Sequence, residues 1–291
     1  MKYKFSHIAL SSSSLDKRIL PIATQIYEIL TNAGIKLYFD ESLLELESIT
    51  KKKHSSSKNI MNKADLLIAI GGDGTMLNCS RKYGSKGIPV LGINLGKVGF
   101  LTDIAPNEMT SKLLEVIKGN FIEDRRFFLE ASIEGQKEKY TALNEVVIHS
   151  GAIAQLIDFD LFIDDNFVYT QRADGLIVNS PTGSTAYSLS GGGPIVHPSV
   201  SAITLLPMFP HSLNTSPLVV SDKSHIQIVM IGEKNKAVLS MDSHNSIKLN
   251  KGEKITISKG NSSLLLVHPP GHDFFGACRN KLGWSSNLLN K

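Results

Sequence analysis

The sequence predicts two domains, an α/β domain with a parallel sheet followed by a domain rich in β-strands. Three observations lead to this prediction. The chain opens with a strand, a helix and a second strand; two later apolar runs each lead into glycines; and after residue 119 apolar residues alternate with a period of two, without intervening helices. The predicted fold class is a Rossmann-like α/β domain plus a β-rich domain, α+β overall.

The opening strand, helix and strand lie within the first 40 residues. Residues 5–10 and 35–39 are short apolar runs. Between them, apolar side chains recur at helical spacing, at Ile19, Ile22, Ala23, Ile26 and Leu30. This order predicts a parallel sheet covered by helices. The serines at positions 11–14 are expected to cap the helix, and contact with a phosphate is the alternative.

A glycine-rich turn follows the next apolar run, residues 66–70, and reads Gly-Gly-Asp-Gly-Thr. Its aspartate, Asp73, would lie at the carboxyl end of a strand, where open α/β sheets bind their ligands. Glycines let a ligand approach closely, and amides at a helix start can bind anionic oxygens. The spacing matches neither a Walker A loop nor the dinucleotide fingerprint, and a plain strand-to-helix turn is the alternative. The candidate phosphate-binding residues are Gly71, Gly72, Gly74 and Thr75.

A second glycine-rich segment follows the apolar run at residues 88–93. Residues 94–101 read Asn-Leu-Gly-Lys-Val-Gly-Phe-Leu. Because the carboxyl ends of neighbouring parallel strands meet at one edge of a sheet, the two exits predict two sides of one crevice.

The β-rich part is expected to begin near residue 120, after a helix at residues 107–118. The predicted domains are therefore residues 1–119 and 120–291, with the last residues packing back on the first domain. The strands expected in the second domain are residues 125–133, 139–149, 155–164, 226–231, 237–241, 247–249, 254–257 and 264–267.

Asn144 and Glu145 stand beside an apolar strand. Successive strand side chains point to opposite faces, so both can reach one ligand only at a strand end or a bulge. An exposed edge strand is the alternative.

Residues 174–187 place hydroxyl groups around a glycine, in the order Asp-Gly-Leu-Ile-Val-Asn-Ser-Pro-Thr-Gly-Ser-Thr-Ala-Tyr. A strand is expected to end at Pro181, and Ser184 is expected to cap a short helix. The hydroxyl groups of Thr182, Thr185 and Tyr187 are then candidates for binding the polar edges of a nucleotide.

Composition excludes several classes of protein. The 291 residues are 42% hydrophobic and 20% charged, which is typical of a folded soluble protein. A net charge of +4 suits a phosphate-bearing ligand but is too small for a nucleic-acid-binding surface. Cys79 and Cys278 have no metal-ligand spacing, and no apolar stretch is long enough for a membrane span or a secretory signal. We expect a cytoplasmic protein that binds neither nucleic acid nor membranes.

Taken in order, these motifs resemble the bacterial NAD kinase family, whose members use ATP or polyphosphate. The glycine-aspartate turn alone is shared with diacylglycerol and sphingosine kinases and with 6-phosphofructokinases. The Asn-Glu pair and the Pro-Thr-Gly-Ser-Thr-Ala-Tyr segment make the resemblance specific. It covers nearly the whole chain, including Lys281-Leu282-Gly283-Trp284 near the end.

The resemblance implies transfer of the γ-phosphoryl group of ATP, or of polyphosphate, to the 2′-hydroxyl of the adenosine ribose of NAD, which gives NADP. It also implies Mg²⁺, bound mainly through the phosphates of ATP, and a homo-oligomer, either a dimer or a tetramer. Two alternatives stay open. One is a lipid kinase of the diacylglycerol or sphingosine kinase type, and the other is a non-catalytic NAD-binding module.

The resemblance also implies roles for individual residues. Asp73 is the expected proton acceptor, and Gly74 lies beside the NAD. Asn144 and Glu145 are expected to hold the adenosine half, and Asp174 the nicotinamide carboxamide. The other substrate-binding residues implied are Phe100, Arg172, Thr182, Thr185, Ala186, Tyr187, Ser190 and His244.

Two positions depart from the family pattern. The family's Asp-Gly-Gln segment appears here as Asp242-Ser243-His244, and Gln155 stands where many members have a basic residue or a histidine.

Overall fold

The structure is a computed structural model that describes residues 3–13, 16–96, 99–151, 155–212, 215–232 and 237–284, and the backbone alone of Asn245. The chain divides into two compact units. The first comprises Met1–Arg125 and Ser263–Lys291, and the second comprises Arg126–Ser262. The division therefore lies a few residues after the boundary expected near residue 120, and the chain returns to the first unit at Ser263.

Up to residue 133, one or more helices separate each strand from the next. In the first unit the strands His7–Ser11 (β1), Lys36–Phe39 (β2), Leu66–Ile70 (β3) and Val90–Ile93 (β4) pair in parallel in the order β2-β1-β3-β4, and Leu266, near the end of the strand Lys254–His268 (β16), adds a parallel partner to β4. The glycine-rich exits of β3 and β4 are therefore neighbours, as predicted. The elements are β1 (His7–Ser11), α1 (Ile19–Asn32), β2 (Lys36–Phe39), α2 (Leu46–Thr50), α3 (Ser57–Lys63), β3 (Leu66–Ile70), α4 (Asp73–Lys82), β4 (Val90–Ile93), α5 (Met109–Ile117) and β5 (Ile122–Ile133).

Helix α1 forms because its apolar residues fall on one face, and Ala23, Ile26 and Leu30 of that face are fully buried in the core. The prediction that serines cap this helix is wrong. Its N-cap is Arg18, which makes no side-chain capping bond. Ser12 Oγ instead donates to the Ile70 carbonyl at 2.8 Å, which ties the end of β1 to the end of β3, and Ser14 lies outside the described residues.

The remaining elements are mostly strands. They are β6 (Lys139–Ala142), β7 (Glu145–His149), β8 (Ile157–Ile163), β9 (Asn166–Ala173), β10 (Gly175–Asn179), α6 (Tyr187–Ser190), β11 (Ala202–Met208), β12 (Leu218–Ser221), β13 (Ile226–Met230), β14 (Ala237–Met241), β15 (His244–Leu249), β16 (Lys254–His268) and α7 (Phe274–Leu282). The segment expected as one strand at residues 139–149 is two strands, and the two strands expected between residues 254 and 267 are one.

Two antiparallel sheets build the second unit. One has the strand order β12-β11-β10-β7-β14-β15, and the other pairs β16, β13, β8 and β9 in this order, with β5 joining β6 to β16. Val146 and Leu176 of the first sheet share a buried cluster with Phe159 and Ile228 of the second, so the sheets pack face to face. Within the described residues, no helix combines the length and apolarity needed to cross a membrane.

Candidate functional site

The glycine-rich turn after β3 places Asp73 at the first position of α4. Gly72 is the N-cap of this helix, and its carbonyl accepts the amides of Thr75 and Met76 at 3.0 and 3.1 Å. The amides of the first helical turn have no partner within the helix, and the helix dipole adds positive potential at this end. The turn is therefore suited to binding an anion.

The second glycine-rich segment holds the carboxylate of Asp73. The amides of Phe100 and Leu101 donate to Asp73 Oδ2 and Oδ1 at 3.0 and 3.1 Å, and Thr102 Oγ1 lies 3.4 Å from Oδ1. A β-carbon at position 99 would lie 1.9 Å from Asp73 Oδ1, so this contact requires Gly99. The two strand exits meet at one carboxylate, while Lys97 and Val98 lie outside the described residues.

The four candidate phosphate-binding residues fall into two pairs. Gly72 and Gly74 are exposed, and a β-carbon at either position would meet open space, so a ligand can approach both. The amide of Gly71 donates to the Ile93 carbonyl at 2.9 Å. Thr75 is buried, and its hydroxyl pairs with Ser13 Oγ at 3.2 Å. Gly71 and Thr75 therefore stabilise the turn from inside. Gly72 and Gly74 form the exposed surface of the turn that a ligand can contact.

In the second unit, Asn144 and Glu145 lie where β7 begins, which meets the condition that both side chains sit at a strand end. Strand β7 pairs with β10 and β14, so the alternative of an exposed edge strand is wrong. Asp242 fixes this point of the backbone. Its carboxylate accepts the amides of Leu143, Asn144 and Glu145 at 2.9, 2.8 and 3.2 Å.

The hydroxyl-rich segment lies directly against Asn144. A β-carbon at position 183 would lie 2.2 Å from the Asn144 carbonyl oxygen, so the close approach requires Gly183. Thr182 and Thr185 belong to a short 3₁₀ helix, Thr182–Thr185. Thr182 is buried and its hydroxyl accepts a hydrogen bond from Arg126 at 3.0 Å, so it supports the segment from inside.

A cavity of about 520 Å³ opens on the outer face of the six-stranded sheet. Glu145 belongs to the same face of β7 as Val147 and His149, which line the cavity, because alternate strand residues share a face. Asp174 and the exposed Tyr187 also line it, which brings these two predicted residues together. The volume is that of a small-molecule site.

Other predicted substrate residues lie apart from this cavity lining. The guanidinium of Arg172 is bound to Asp158 at 2.8 Å on the surface of β8 and β9. His244 is exposed at the first position of β15, with Nδ1 2.7 Å from the Asp242 carbonyl oxygen. Ala186 is partly exposed and Ser190 is exposed around α6, and Gln155 is exposed before β8.

Glu145 is the most perturbed carboxyl group of this site. Burial raises its pKa, the charge of Asp242 raises it further, and a backbone hydrogen bond from Tyr187 opposes both, with a resulting pKa of about 8. Its Oε2 atom is buried and has no hydrogen-bond partner among the described residues. A buried acceptor without a partner is a place where a ligand hydroxyl can bind.

The raised pKa predicts that Glu145→Gln gains stability relative to the wild type as the pH rises. Folding favours the neutral carboxyl, so the contribution of Glu145 to stability is full below pH 4.5 and is lost as the pH rises through about 8. The difference in free energy of unfolding should change by about 1.4 kcal/mol per pH unit within this window. Denaturant unfolding of both proteins at pH 5 and pH 8 measures it, and a constant difference would contradict the burial argument.

The described residues include one group spaced for a metal ion, Asp103, His268 and His272. Both imidazole Nδ1 atoms contact Asp103 Oδ2, His272 at 3.0 Å, and the two rings stack 3.8 Å apart. Mg²⁺ prefers six oxygen ligands, so this group does not fit it. The oxygens of Asp73 already accept backbone amides. Among the described residues, no other group is spaced for a metal ion.

Sequence reasoning missed three parts of the site. Gly99 could have been found from the glycine-rich segment, but its contact with Asp73 could not. Asp242 and Ser243 have φ of 46° and 58°, a tight turn whose link to Asn144 spans 98 residues. Lys281 Nζ lies 3.1 Å from Asp73 Oδ2, and these residues are 208 positions apart.

Comparison with known protein families identifies the class of protein to which the chain belongs. Residues 8–121 match the family model of the ATP-NAD kinase N-terminal domain, and residues 143–269 match that of the ATP-NAD kinase C-terminal domain. The chain is therefore an enzyme of the kinase class.

Individual relatives agree with both family models. NAD kinase of Acinetobacter baylyi is 45% identical over 90% of this chain and 87% of its own length, and NAD kinase of Marinobacter nauticus is 41% identical over 98% of each. The chain belongs to the NAD kinase family, which confirms the resemblance seen in its motifs.

Solved structures confirm the predicted fold class. Yeast NADH kinase complexed with NADH superposes with a TM-score of 0.89 at 27% identity, covering 98% of this chain and 90% of that one. An NAD kinase from Archaeoglobus fulgidus in complex with ATP gives a TM-score of 0.73 at 28% identity, covering 95% and 97%. Nothing in these findings favours a lipid kinase or a non-catalytic module.

Proposed function

We propose that this chain transfers the γ-phosphoryl group of ATP to the 2′-hydroxyl of the adenosine ribose of NAD, which gives NADP. The 2′-oxygen forms a bond to the γ-phosphorus, the bond from that phosphorus to the leaving ADP oxygen breaks, and the hydroxyl proton passes to Asp73. The observation that carries this proposal is the placement of Asp73 at a helix start, with its carboxylate fixed by the amides of Phe100 and Leu101. A fixed carboxylate beside an anion-binding turn combines a proton acceptor with a phosphate site.

The second unit supplies the NAD-binding residues in this proposal. The unpartnered Oε2 of Glu145 accepts a ribose hydroxyl, and Asn144 binds the same adenosine half. Asp174, which lines the cavity, binds the nicotinamide carboxamide. The carboxylate of Asp242 accepts the backbone amide of Asn144 and so holds the start of β7 in place. The site is therefore organised before NAD binds.

The remaining substrate contacts are proposed on the family resemblance and on exposure. Phe100 is a further NAD contact on the resemblance alone, and Thr185, Ala186, Tyr187 and Ser190 form a partly exposed edge around α6. Arg172 would have to leave Asp158 to reach NAD, and His244 would approach from the start of β15, where its side chain is exposed. Thr182 contributes indirectly, because it holds the hydroxyl-rich segment in position through its hydrogen bond with Arg126.

Mg²⁺, the phosphoryl donor and the oligomeric state belong to the same proposal. Mg²⁺ would be held by the phosphates of ATP and would neutralise part of their charge there. The exposed amides at Gly72 and Gly74 bind these phosphates. The chain assembles in the cytoplasm as a dimer or a tetramer. Sedimentation of the purified protein measures the number of subunits.

The function is tested by incubating the protein with NAD, ATP and Mg²⁺ and measuring NADP. ATP, polyphosphate and no donor form three parallel arms, and a diacylglycerol arm tests the lipid-kinase alternative. NADP formed with a donor supports the proposal. Absence of NADP in every donor arm, with NAD binding retained, would contradict the proposal and support the alternative of a non-catalytic NAD-binding module.

The position of the transferred phosphate is a separate prediction. Asp73 must lie within about 2.6–3.2 Å of the attacking oxygen, so one ribose hydroxyl is activated in the bound pose. NAD lacking the adenosine 2′-hydroxyl should bind and compete with NAD but accept no phosphate, because its adenine and nicotinamide contacts are intact. Nicotinamide mononucleotide should neither bind well nor react. Phosphorus NMR of the products decides, and phosphate on a 3′-hydroxyl or on the deoxy analogue would show that Asp73 is aimed elsewhere.

A further inference from the structure

Helix α7 brings a lysine to the carboxylate of Asp73. Lys281 Nζ lies 3.1 Å from Asp73 Oδ2 and 4.9 Å from the centre of the Phe100 ring. All three residues belong to the first unit. The ammonium group is therefore held between a carboxylate and an aromatic face, two partners that each attract a cation.

The start of α7 is attached to the same loop. His272, two residues before the helix, pairs with Asp103 at 3.0 Å, and Asp103 follows the amides that bind Asp73. The helix thus contacts the loop at residues 99–103 at both of its ends. Two attachments fix the path of α7, so the position of Lys281 is a property of the fold and not of one surface contact.

The hydrogen-bond donors around the carboxylate of Asp73 differ in how easily a substrate can displace them. Two are backbone amides of the loop, and Thr102 is fully buried. The side chain of Lys281 is 33% exposed and has a flexible four-carbon stem. A hydroxyl that approaches Asp73 Oδ2 therefore replaces Lys281 and not the amides.

A displaced ammonium group stays close to the reacting phosphate. The attacking oxygen must come within about 3 Å of Asp73, and the phosphorus within about 3–3.5 Å of that oxygen. Lys281 Nζ begins 3.1 Å from the same carboxylate oxygen, and its flexible four-carbon stem allows the ammonium group to turn toward the phosphoryl oxygens. These oxygens carry the negative charge that phosphoryl transfer spreads over three atoms.

We propose that Lys281 is a catalytic residue whose ammonium group leaves the carboxylate of Asp73 and binds the transferring phosphoryl group. In the free enzyme it pairs with the carboxylate. When the ribose hydroxyl replaces it and gives its proton to Asp73, that carboxyl becomes neutral, and the ammonium group binds the phosphoryl oxygens as the bond to ADP breaks. Lys281 keeps its own proton throughout. This inference rests on the proposed function and adds a charge-stabilising residue to it.

The experiment compares Lys281→Gln, Lys281→Ala and Lys281→Arg with a matched control, Arg279→Gln. Arg279 lies on the same helix, and its partner Asp273 is half exposed, so the control removes one positive charge from α7 without touching Asp73. NADP formation, NAD affinity by calorimetry and melting temperature are measured for each. Lys281→Gln should lower kcat by about 10²–10³-fold, as loss of one transition-state donor does, with NAD affinity and melting temperature unchanged.

Two further measurements separate catalysis from positioning. Ethylammonium chloride should restore part of the turnover of Lys281→Ala, because a free ammonium ion can bind the phosphoryl oxygens, and Lys281→Arg should retain more activity than Lys281→Gln. Adding Lys281→Gln to Asp73→Asn should lower kcat further, because the lysine acts on the phosphate and not only through Asp73.

Three results would overturn the proposal: wild-type kcat in Lys281→Gln, a loss that ethylammonium does not restore, or no further loss in the double variant. A wild-type enzyme that makes no NADP would defeat the proposed function itself, and this inference with it. Wild-type NADP formation with an unaffected Lys281→Gln defeats the inference alone.

Discussion

Asp73→Asn is expected to lower kcat by about 10²–10⁴-fold, the usual contribution of a positioned proton acceptor, while the affinity for NAD stays close to that of the wild type. The change is nearly isosteric and removes the charge and basicity of one group. Asn144, Glu145 and Asp174, which hold the two halves of NAD in the proposal, lie on the second unit and are not altered. Initial rates and calorimetry measure the two quantities separately.

The structure also sets a stability cost for this variant. Both oxygens of Asp73 accept backbone amides, and an asparagine offers an acceptor at only one of these positions. A loss of about 1–3 kcal/mol is expected from the amide left without an acceptor. Glu108→Gln is the control, because Glu108 is an exposed carboxylate of the same unit, paired with Lys112. Wild-type turnover in a folded Asp73→Asn protein would remove Asp73 from the mechanism.

Gly183→Ala is expected to weaken NAD binding strongly and to destabilise the second unit. The new methyl group would lie 2.2 Å from the carbonyl oxygen and 2.8 Å from the α-carbon of Asn144, and backbone atoms cannot move aside as a flexible side chain can. Overpacking of this kind costs about 1–3 kcal/mol. The displaced strand start carries both Asn144 and Glu145, so KM for NAD should rise more than kcat falls.

The matched control for stability is Gly74→Ala. A β-carbon at position 74 meets open space within α4, where alanine favours the helix, so its melting temperature should equal or exceed that of the wild type. Thermal unfolding and NAD calorimetry on both variants provide the comparison. A Gly183→Ala protein with wild-type NAD affinity would show that the hydroxyl-rich segment does not set the position of Asn144.

Features with local causes could be read from the sequence. Apolar runs ending in glycines predicted β3 and β4, and Asp73 follows β3 at the start of a helix as expected, because a strand, a turn and a helix start depend on adjacent residues. For the Asn144-Glu145 pair the alternation of side chains supplied only a condition, a strand end or a bulge, and the expected single strand over residues 139–149 hid the break that meets it. The pattern of these local motifs was also enough to indicate the family.

The predictions that differed from the structure depended on distant partners. Ser12 donates to the carbonyl of Ile70 across the sheet instead of capping α1. The strand segments expected at residues 254–257 and 264–267 join into β16 because several strands and both units supply pairing along its length. Neither outcome follows from propensity, since both depend on which strands become neighbours.

The sequence by itself determined the strand, helix and strand that open the chain, the strand and turn that lead to the candidate acceptor, and the family. The tertiary structure decided what surrounds that acceptor. Asp73 is bonded to a loop 27 and 28 residues away and to Lys281, 208 residues away, and Asp242 holds Asn144 across 98 residues. Local sequence specifies backbone conformation through short-range sterics and hydrogen bonds, whereas contacts at these separations exist only after the sheets have formed and brought the segments together.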